Sequence, residues 1–257
     1  MKIDLSEFHH RDRNRVRELG EVFTPEAYVE EMLDLLCKDK KNFWSDEDIV
    51  FFEPCCGHGN IVLPIYKRRL EAIYKKAIAQ GLGKSKEAPL FAVANAINTL
   101  WAIDIDSENI ENTRSRVLQE SISFLMIKLN INNKLNLISK NKVFFAHLLS
   151  ALKWHIDENE TLSALSTDKD AKANACLTKS GAKWFSQNGH HELDFDLTWV
   201  NFYESCEKSK TVPLEYERSA KFIQTLISGK LKGFDDFSFA KVILIANKND
   251  ITFELGV

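Results

Sequence analysis

Residues 51–60 read FFEPCCGHGN, an apolar run that ends in an acid and is followed by a turn with two glycines. The apolar residues 49–53, IVFFE, predict a buried strand of a parallel sheet. Gly57 and Gly59 allow backbone conformations and close approaches that a Cβ atom would block. A helix to about residue 80 is predicted after the turn, so its free N–H groups face the loop. The stretch therefore predicts a strand–loop–helix unit with a ligand site at the loop.

Glu53, at the end of this strand, narrows the ligand that the loop can take. A phosphate could use the start of the helix, but a carboxylate there favours a ligand that carries an ammonium group. The loop has neither the GxGxxG pattern of dinucleotide-binding folds nor the GxxxxGK[ST] pattern of P-loop proteins. A plain strand-to-helix turn, whose glycines serve only its geometry, is the alternative interpretation.

A second buried strand is predicted at residues 101–106, WAIDID. Asp104 lies where a ribose would present its hydroxyl groups, and one carboxylate can accept two hydrogen bonds from a diol. Ile105 could then lie against an adenine ring. The alternative is that the acids only cap the next helix, a role that Asp106 fills equally well.

Ahead of the first strand, residues 20–25 read GEVFTP and lead into a predicted helix. Thr24 is expected to be the N-cap, with Pro25 at the first helical position. The apolar residues that follow have helical spacing and predict one buried stripe; they are Val29, Met32, Leu33, Leu36 and Cys37. Phe23 offers an apolar face and Thr24 a hydroxyl group to a ligand, or the pair forms a simple hydrophobic staple and cap.

The rest of the chain continues the alternation of helices and strands. Further strands are predicted at 142–146 (KVFFA), 195–201 (FDLTWVN) and 239–247 (FAKVILIAN). Residues 147–192 show no clear periodicity and are expected to form an irregular insertion. The alternation predicts an α/β fold, a mostly parallel sheet with helices on both faces and ligands beyond the carboxyl ends of the strands.

The charge and the apolar content of the chain bear on its partners and its location. The net charge of -3 gives no whole-molecule argument for nucleic acid. The polar start of the chain does not resemble a signal peptide, and no apolar run is long enough for a membrane span, so we expect a cytoplasmic protein without a membrane partner. We expect residues 1–19 to form a separate polar arm or helix, either solvated or in contact with phosphates, and residues 20–257 to form the main domain.

The three segments, taken together and in this order, resemble the N6-adenine DNA methyltransferases of restriction–modification systems and phages. The resemblance spans roughly residues 18–120 and implies a Rossmann-like class I fold that binds S-adenosylmethionine. GEVFTP is similar to the segment that closes over the methionine end of the cofactor, FFEPCCGHGN to the glycine loop and WAIDID to the ribose-binding strand end. What the resemblance assigns to the cofactor is the set Phe23, Thr24, Glu53, Gly57, Gly59, Asp104 and Ile105.

The resemblance fades after residue 120. The family has an acid after its third strand that contacts the adenine amine of the cofactor, and none follows KVFFA here. The family's fourth strand ends in [NDS]-P-P-[YFW], whereas this chain has no Pro-Pro pair. The nearest candidate is FDLTWVNFYES, in which Asn201 would accept a hydrogen bond from the target amine and Tyr203 would stack on the flipped base. Ordinary loop residues after a strand are the alternative.

The sequence thus favours an S-adenosylmethionine-dependent methyltransferase that acts on the N6 amine of adenine in DNA. The partners expected are DNA and a partner subunit that supplies target recognition, because no recognition domain is evident unless residues 147–192 take part of that role. Two alternatives stay open: an inactive methyltransferase-like subunit that binds DNA or a partner protein, and a methyltransferase for RNA or protein. No metal site is predicted, since the residues that could ligate zinc lack a knuckle spacing; they are Cys176, His190, His191 and Cys206.

Overall fold

The computed structural model describes residues 24–82, 87–193 and 195. This part of the chain is mostly helical and contains a three-stranded parallel sheet. The helices before the second strand are α1 (Glu26–Cys37), α2 (Val62–Ala79) and α3 (Glu87–Asn98), with a 3-10 turn at Phe43–Ser45. Those after it are α4 (Ser107–Leu129), α5 (Lys134–Lys140), α6 (Lys142–His155), α7 (Thr161–Ala164), α8 (Asp168–Ala175) and α9 (Lys179–Asn188). The strands are β1 (Phe51–Glu53), β2 (Leu100–Asp104) and β3 (Ile156–Glu158).

The strands follow the order β1-β2-β3, and both neighbouring pairs are parallel. Glu53 is opposite Ala102, and Asp104 is opposite Glu158. Because side chains alternate along a strand, these pairings put Glu53, Asp104 and Glu158 on the same face of the sheet at its carboxyl end. The described part is therefore α/β with a parallel sheet, and the first two predicted strands are confirmed.

Two helices pack as their apolar spacing predicts. The apolar residues of α2 at helical spacing are all buried; they are Val62, Tyr66, Leu70, Ile73 and Ala77. A stripe of α4 at the same kind of spacing is also buried; it consists of Ile110, Val117, Leu118, Ser121, Phe124 and Leu125. Asp106 caps α4 by accepting a hydrogen bond from the Asn109 amide at 3.0 Å, which confirms the capping role that the sequence allowed.

The prediction of a third strand at KVFFA is wrong, because residues 142–146 begin α6. The four apolar residues of this run, VFFA, fit a strand or a buried helix equally well. The helical spacing appears only further along, where the residues at i, i+3, i+4 and i+7 are all buried; they are Phe145, Leu148, Leu149 and Leu152. The third strand lies instead at Ile156–Glu158, one helix later.

The prediction that 147–192 is irregular is also wrong. The segment holds the end of α6, the strand β3 and the helices α7, α8 and α9. These last helices have four, eight and ten residues, too short for an apolar repeat to stand out in the sequence. Polar caps define them instead: Glu160 accepts hydrogen bonds from two amides of α7, and Thr178 accepts one from the Gly181 amide.

Helix α1 begins one residue later than predicted. Pro25 is the N-cap, and no side chain caps the helix, so Thr24 does not serve as its cap. Val29 and Leu33 are buried, whereas Met32 and Leu36 are each 43% exposed. The predicted stripe therefore packs along only part of its width.

Several predictions fall outside the described residues. These are the arm 1–19, the strands 195–201 and 239–247 beyond Phe195, and the site residues Phe23, Asn201 and Tyr203. In the part of the chain that is described, no helix combines the length and the apolar character needed to cross a membrane.

Candidate ligand site at the carboxyl ends of the strands

The loop after β1 depends on both of its glycines. Gly57 has φ 51° and Gly59 has φ 89°, values that side-chain-bearing residues rarely adopt. A Cβ atom on Gly59 would also lie 3.0 Å from Oγ1 and 3.1 Å from Cγ2 of Thr113. The predicted need for glycine at both positions is therefore confirmed for the backbone.

Side chains of helix α4 hold this loop in place by hydrogen bonds. The Thr113 hydroxyl donates to the Gly57 carbonyl at 2.9 Å. The Arg116 guanidinium donates to the His58 carbonyl at 2.7 Å and to Asn60 Oδ1 at 3.1 Å. With its carbonyls occupied in this way, the loop is fixed before any ligand binds.

Asp104 joins the loop of β1 to the end of β2. Its Oδ2 accepts a hydrogen bond from the Gly57 amide at 2.9 Å, and its Oδ1 accepts one from the Asp106 amide at 2.9 Å and one from Asn109 Nδ2 at 3.3 Å. A carboxylate offers about four acceptor positions. Three are used here, so Asp104 can accept one ribose hydroxyl without breaking an existing hydrogen bond, and not the two that the sequence analysis expected.

The two acids Glu53 and Asp104 form a half-buried negative site. Burial is the main cause that raises the pKa of Glu53; the Cys55 amide lowers this pKa and the charge of Asp104 raises it further. Burial also raises the pKa of Asp104, against the lowering effect of the hydrogen bonds from Asp106, Gly57 and Asn109. No salt bridge among the described residues involves Glu53 or Asp104. The two acids therefore have no salt-bridge partner within the described residues.

The end of β3 supplies an acid that the sequence analysis missed. Glu158 stands beside Asp104 in the sheet and accepts a hydrogen bond from Trp184 Nε1 at 3.3 Å. The next residue, Asn159, extends the ladder by donating its amide to the Asp104 carbonyl at 3.0 Å. The resemblance places an acid after the third strand. Since that strand is predicted at 142–146, the acid is expected directly after residue 146, one helix too early. The short run Ile156-Asp157-Glu158, flanked by a helix with 3.6 spacing, was the available signal.

The described site residues do not all line one cavity. Glu53, Gly57, Gly59 and Asp104 belong to the two strand ends just described, and Ile105 follows Asp104 as a half-buried residue. Thr24 lines a separate cleft of about 350 Å³ together with Asn60, Arg68 and Arg116. Glu53 lines an apolar groove of about 650 Å³ along with Phe52 and Ile61. Thr24 thus borders the far end of the glycine loop, whereas Glu53 borders its beginning.

The cysteines of the loop are poor nucleophiles. Burial raises the pKa of the Cys56 thiol, and the charges of Asp104 and Glu53 raise it further. Partial burial also raises the pKa of the Cys55 thiol, against the lowering effect of its hydrogen bond with Thr161. Since the thiolate is the reactive form, neither residue is suited to covalent catalysis. Within the described ranges, no three His, Cys, Asp or Glu residues are arranged to hold a metal ion.

Comparisons with known proteins found no match to a family model, to a curated protein or to a solved structure.

Proposed function

We propose that this chain is a class I S-adenosylmethionine-dependent methyltransferase that transfers a methyl group to the N6 amine of adenine in DNA. The observation that carries the proposal is the hydrogen bond from the Gly57 amide to the Asp104 carboxylate. It joins a glycine loop after one parallel strand to an acid after the next, at the edge of the sheet where α/β folds bind their ligands. The motif resemblance supplies the identity of that ligand.

The charge of the site supports a cationic ligand. Glu53 and Asp104 are partly desolvated carboxylates whose raised pKa values reflect burial, and neither has a salt-bridge partner among the described residues. S-adenosylmethionine carries a sulfonium and an ammonium group, and a positive charge close to a carboxylate favours its ionised form. Glu53 would take the ammonium group, and Asp104 would accept one ribose hydroxyl through the free position on Oδ2.

Glu158 extends the proposed site to the adenine ring. In the family that the motifs resemble, an acid after the third strand accepts a hydrogen bond from the adenine amine of the cofactor. Glu158 ends β3 beside Asp104, and its second carboxylate oxygen carries no hydrogen bond to the Trp184 indole, which contacts Oε1. Ile105, directly after Asp104, is the residue proposed to lie against the ring.

The proposed chemistry is direct in-line attack of the adenine amine on the sulfonium methyl group. The nitrogen–methyl bond forms as the sulfur–methyl bond breaks, and the amine then loses a proton to give N6-methyladenine and S-adenosylhomocysteine. Such a reaction gains its rate from positioning and from acceptors that polarise the amine. Asn201 and Tyr203, which lie outside the described residues, remain the candidates for holding the amine and stacking the base.

A methyl-transfer assay tests this proposal. The full chain is incubated with methyl-labelled S-adenosylmethionine and duplex DNA that lacks N6-methyladenine, and the nucleosides are separated after digestion. We expect label in N6-methyladenine, and a large loss of it for Glu53→Gln but not for Asp48→Asn, an exposed acid on the loop before β1. Parallel reactions contain RNA or protein in place of DNA, and label in these alone, or no label in DNA, would contradict the DNA assignment.

A second candidate is an inactive methyltransferase-like subunit that binds DNA or a partner protein. The three hydrogen bonds that Asp104 accepts favour it, because they show that this acid also has a structural task. Such a chain would bind DNA without binding S-adenosylmethionine, which a titration with each ligand separates from the first proposal.

A further inference from the structure

Helices α8 and α9 form a tight pair joined by three residues. Helix α8 ends at Ala175, and α9 begins at Lys179 with Thr178 as its cap, whose Oγ1 accepts a hydrogen bond from the Gly181 amide at 2.9 Å. Gly181 is buried, and a Cβ atom there would lie 2.4 Å from the Ala175 carbonyl oxygen. The start of α9 therefore packs directly against the end of α8. Two short helices with a turn of this length are typical of a helix–turn–helix unit.

The two sides of α9 differ in burial and chemistry. Gly181 and Trp184 are buried. The exposed residues Lys179, Lys183 and Gln187 recur every four positions, and Ser186 lies on the same side. Helix α9, KSGAKWFSQN, contains no acid. Lysine contacts phosphates and guanine, and glutamine and serine bond base edges, so the exposed side consists of groups that read nucleic acid.

The unit is anchored at the carboxyl ends of the strands. Trp184 donates to Glu158 at the end of β3, and Asn159 Nδ2 donates to the His191 carbonyl at 2.9 Å. The Thr161 hydroxyl donates to the carbonyl of Pro54, at the start of the glycine loop. Anything bound to α9 is thereby held close to the candidate ligand site.

We propose that the exposed side of α9 docks into the major groove of duplex DNA. The exposed side of α9 carries Lys179 and Lys183 and no acid, so it is complementary to the phosphate backbone. An α-helix with its side chains is about 10–12 Å across, so α9 fits a B-form major groove about 12 Å wide. The deep, narrow major groove of A-form RNA excludes it. The inference deepens the proposed function, on which it rests for the delivery of the target base.

The test measures binding of the full chain to a fluorescently labelled duplex of mixed sequence, by anisotropy, without cofactor and over a salt series. The variant is Lys179→Gln/Lys183→Gln, which removes two exposed charges without touching the packed side of α9. The matched control is Lys41→Gln/Lys75→Gln, two exposed lysines elsewhere on the chain. We expect the affinity of the α9 variant for the duplex to be weaker by about tenfold or more. The slope of log affinity against log salt concentration should be smaller by about two, because two phosphate contacts are lost. The control should bind within about twofold of the parent chain.

Three outcomes would overturn the proposal. They are equal loss of affinity in the variant and the control, no binding of duplex DNA by the parent chain, and preferential binding of duplex RNA. Light scattering tests the remaining occupant: a dimer of the chain that Lys179→Gln/Lys183→Gln dissociates would make this side a protein interface instead.

A calorimetric titration of the same variant with S-adenosylmethionine separates this proposal from the proposed function. Unchanged cofactor affinity with weakened DNA binding supports both. Lysine-dependent DNA binding by a chain that binds no cofactor would leave the α9 surface standing and remove the methyltransferase proposal. Cofactor binding with lysine-independent DNA binding would do the reverse.

Discussion

Replacing Asp104 by asparagine should destabilise the chain by about 1–2 kcal/mol even when no ligand is present. The carboxylate accepts hydrogen bonds from the amides of Gly57 and Asp106 and from the side chain of Asn109. An asparagine has one acceptor oxygen, so its NH₂ group must face at least one of these donors. An unsatisfied donor costs about 1–3 kcal/mol. Loss of a partly desolvated charge offsets some of this cost, because burial raises the pKa of Asp104.

Urea unfolding followed by tryptophan fluorescence measures this change as a shift of the midpoint at constant slope. Asp48→Asn is the matched control, since Asp48 is exposed, and it should change the free energy of unfolding by less than about 0.5 kcal/mol. Equal free energies of unfolding for Asp104→Asn and the parent chain would show that the carboxylate does not hold the glycine loop to β2.

Three further predictions concern stability. Gly59→Ala should lower the free energy of unfolding more than Gly81→Ala. Both glycines have positive φ (89° and 99°), but only at Gly59 does the new Cβ atom meet Thr113, so the difference between the two variants measures that contact. Equal losses of stability would contradict this. Burial raises the pKa of Glu53 from its ordinary value of 4.5, so the folded chain loses stability as the pH rises from 4.5 through the folded pKa. Glu53→Gln should therefore be more stable than the parent chain at pH 7, and this gain should disappear below pH 4.5. A destabilised variant at pH 7 would count against it. Burial lowers the pKa of His155 from 6.5 to about 3, so the free energy of unfolding should fall by up to about 1.4 kcal/mol per pH unit as the pH drops from 6.5 towards 3. His155→Gln should remove that pH dependence. An unaltered pH profile in the variant would show that another group causes the loss of stability.

The part of the fold that the sequence predicts well is coded by long, local patterns. The stripe from Val62 to Ala77 spans four turns, and a helix of that length cannot be mistaken for a strand. The glycine loop is equally local, because positive φ at Gly57 and Gly59 follows from the turn itself. The prediction for residues 142–155 is wrong because the first five of them fit a strand and a buried helix equally well.

The site was harder to predict because its key contacts join distant parts of the chain. The bond between the Gly57 amide and Asp104 spans 47 positions, and no local pattern shows that this carboxylate is already engaged. Glu158 was missed for a related reason: β3 has only three residues, too few for alternation to be recognised. Pairing with β2, which is a tertiary effect, is what makes it a strand.

Calorimetric titration of the full chain with S-adenosylmethionine shows whether the chain binds this cofactor at all. We expect saturable binding of one molecule per chain. The affinity should be about tenfold or more weaker in Glu53→Gln, where one charge-assisted contact to the ammonium group is lost, and unchanged in Asp48→Asn. No heat of binding at cofactor concentrations up to about 1 mM, or equal affinity for the parent chain and Glu53→Gln, would contradict it.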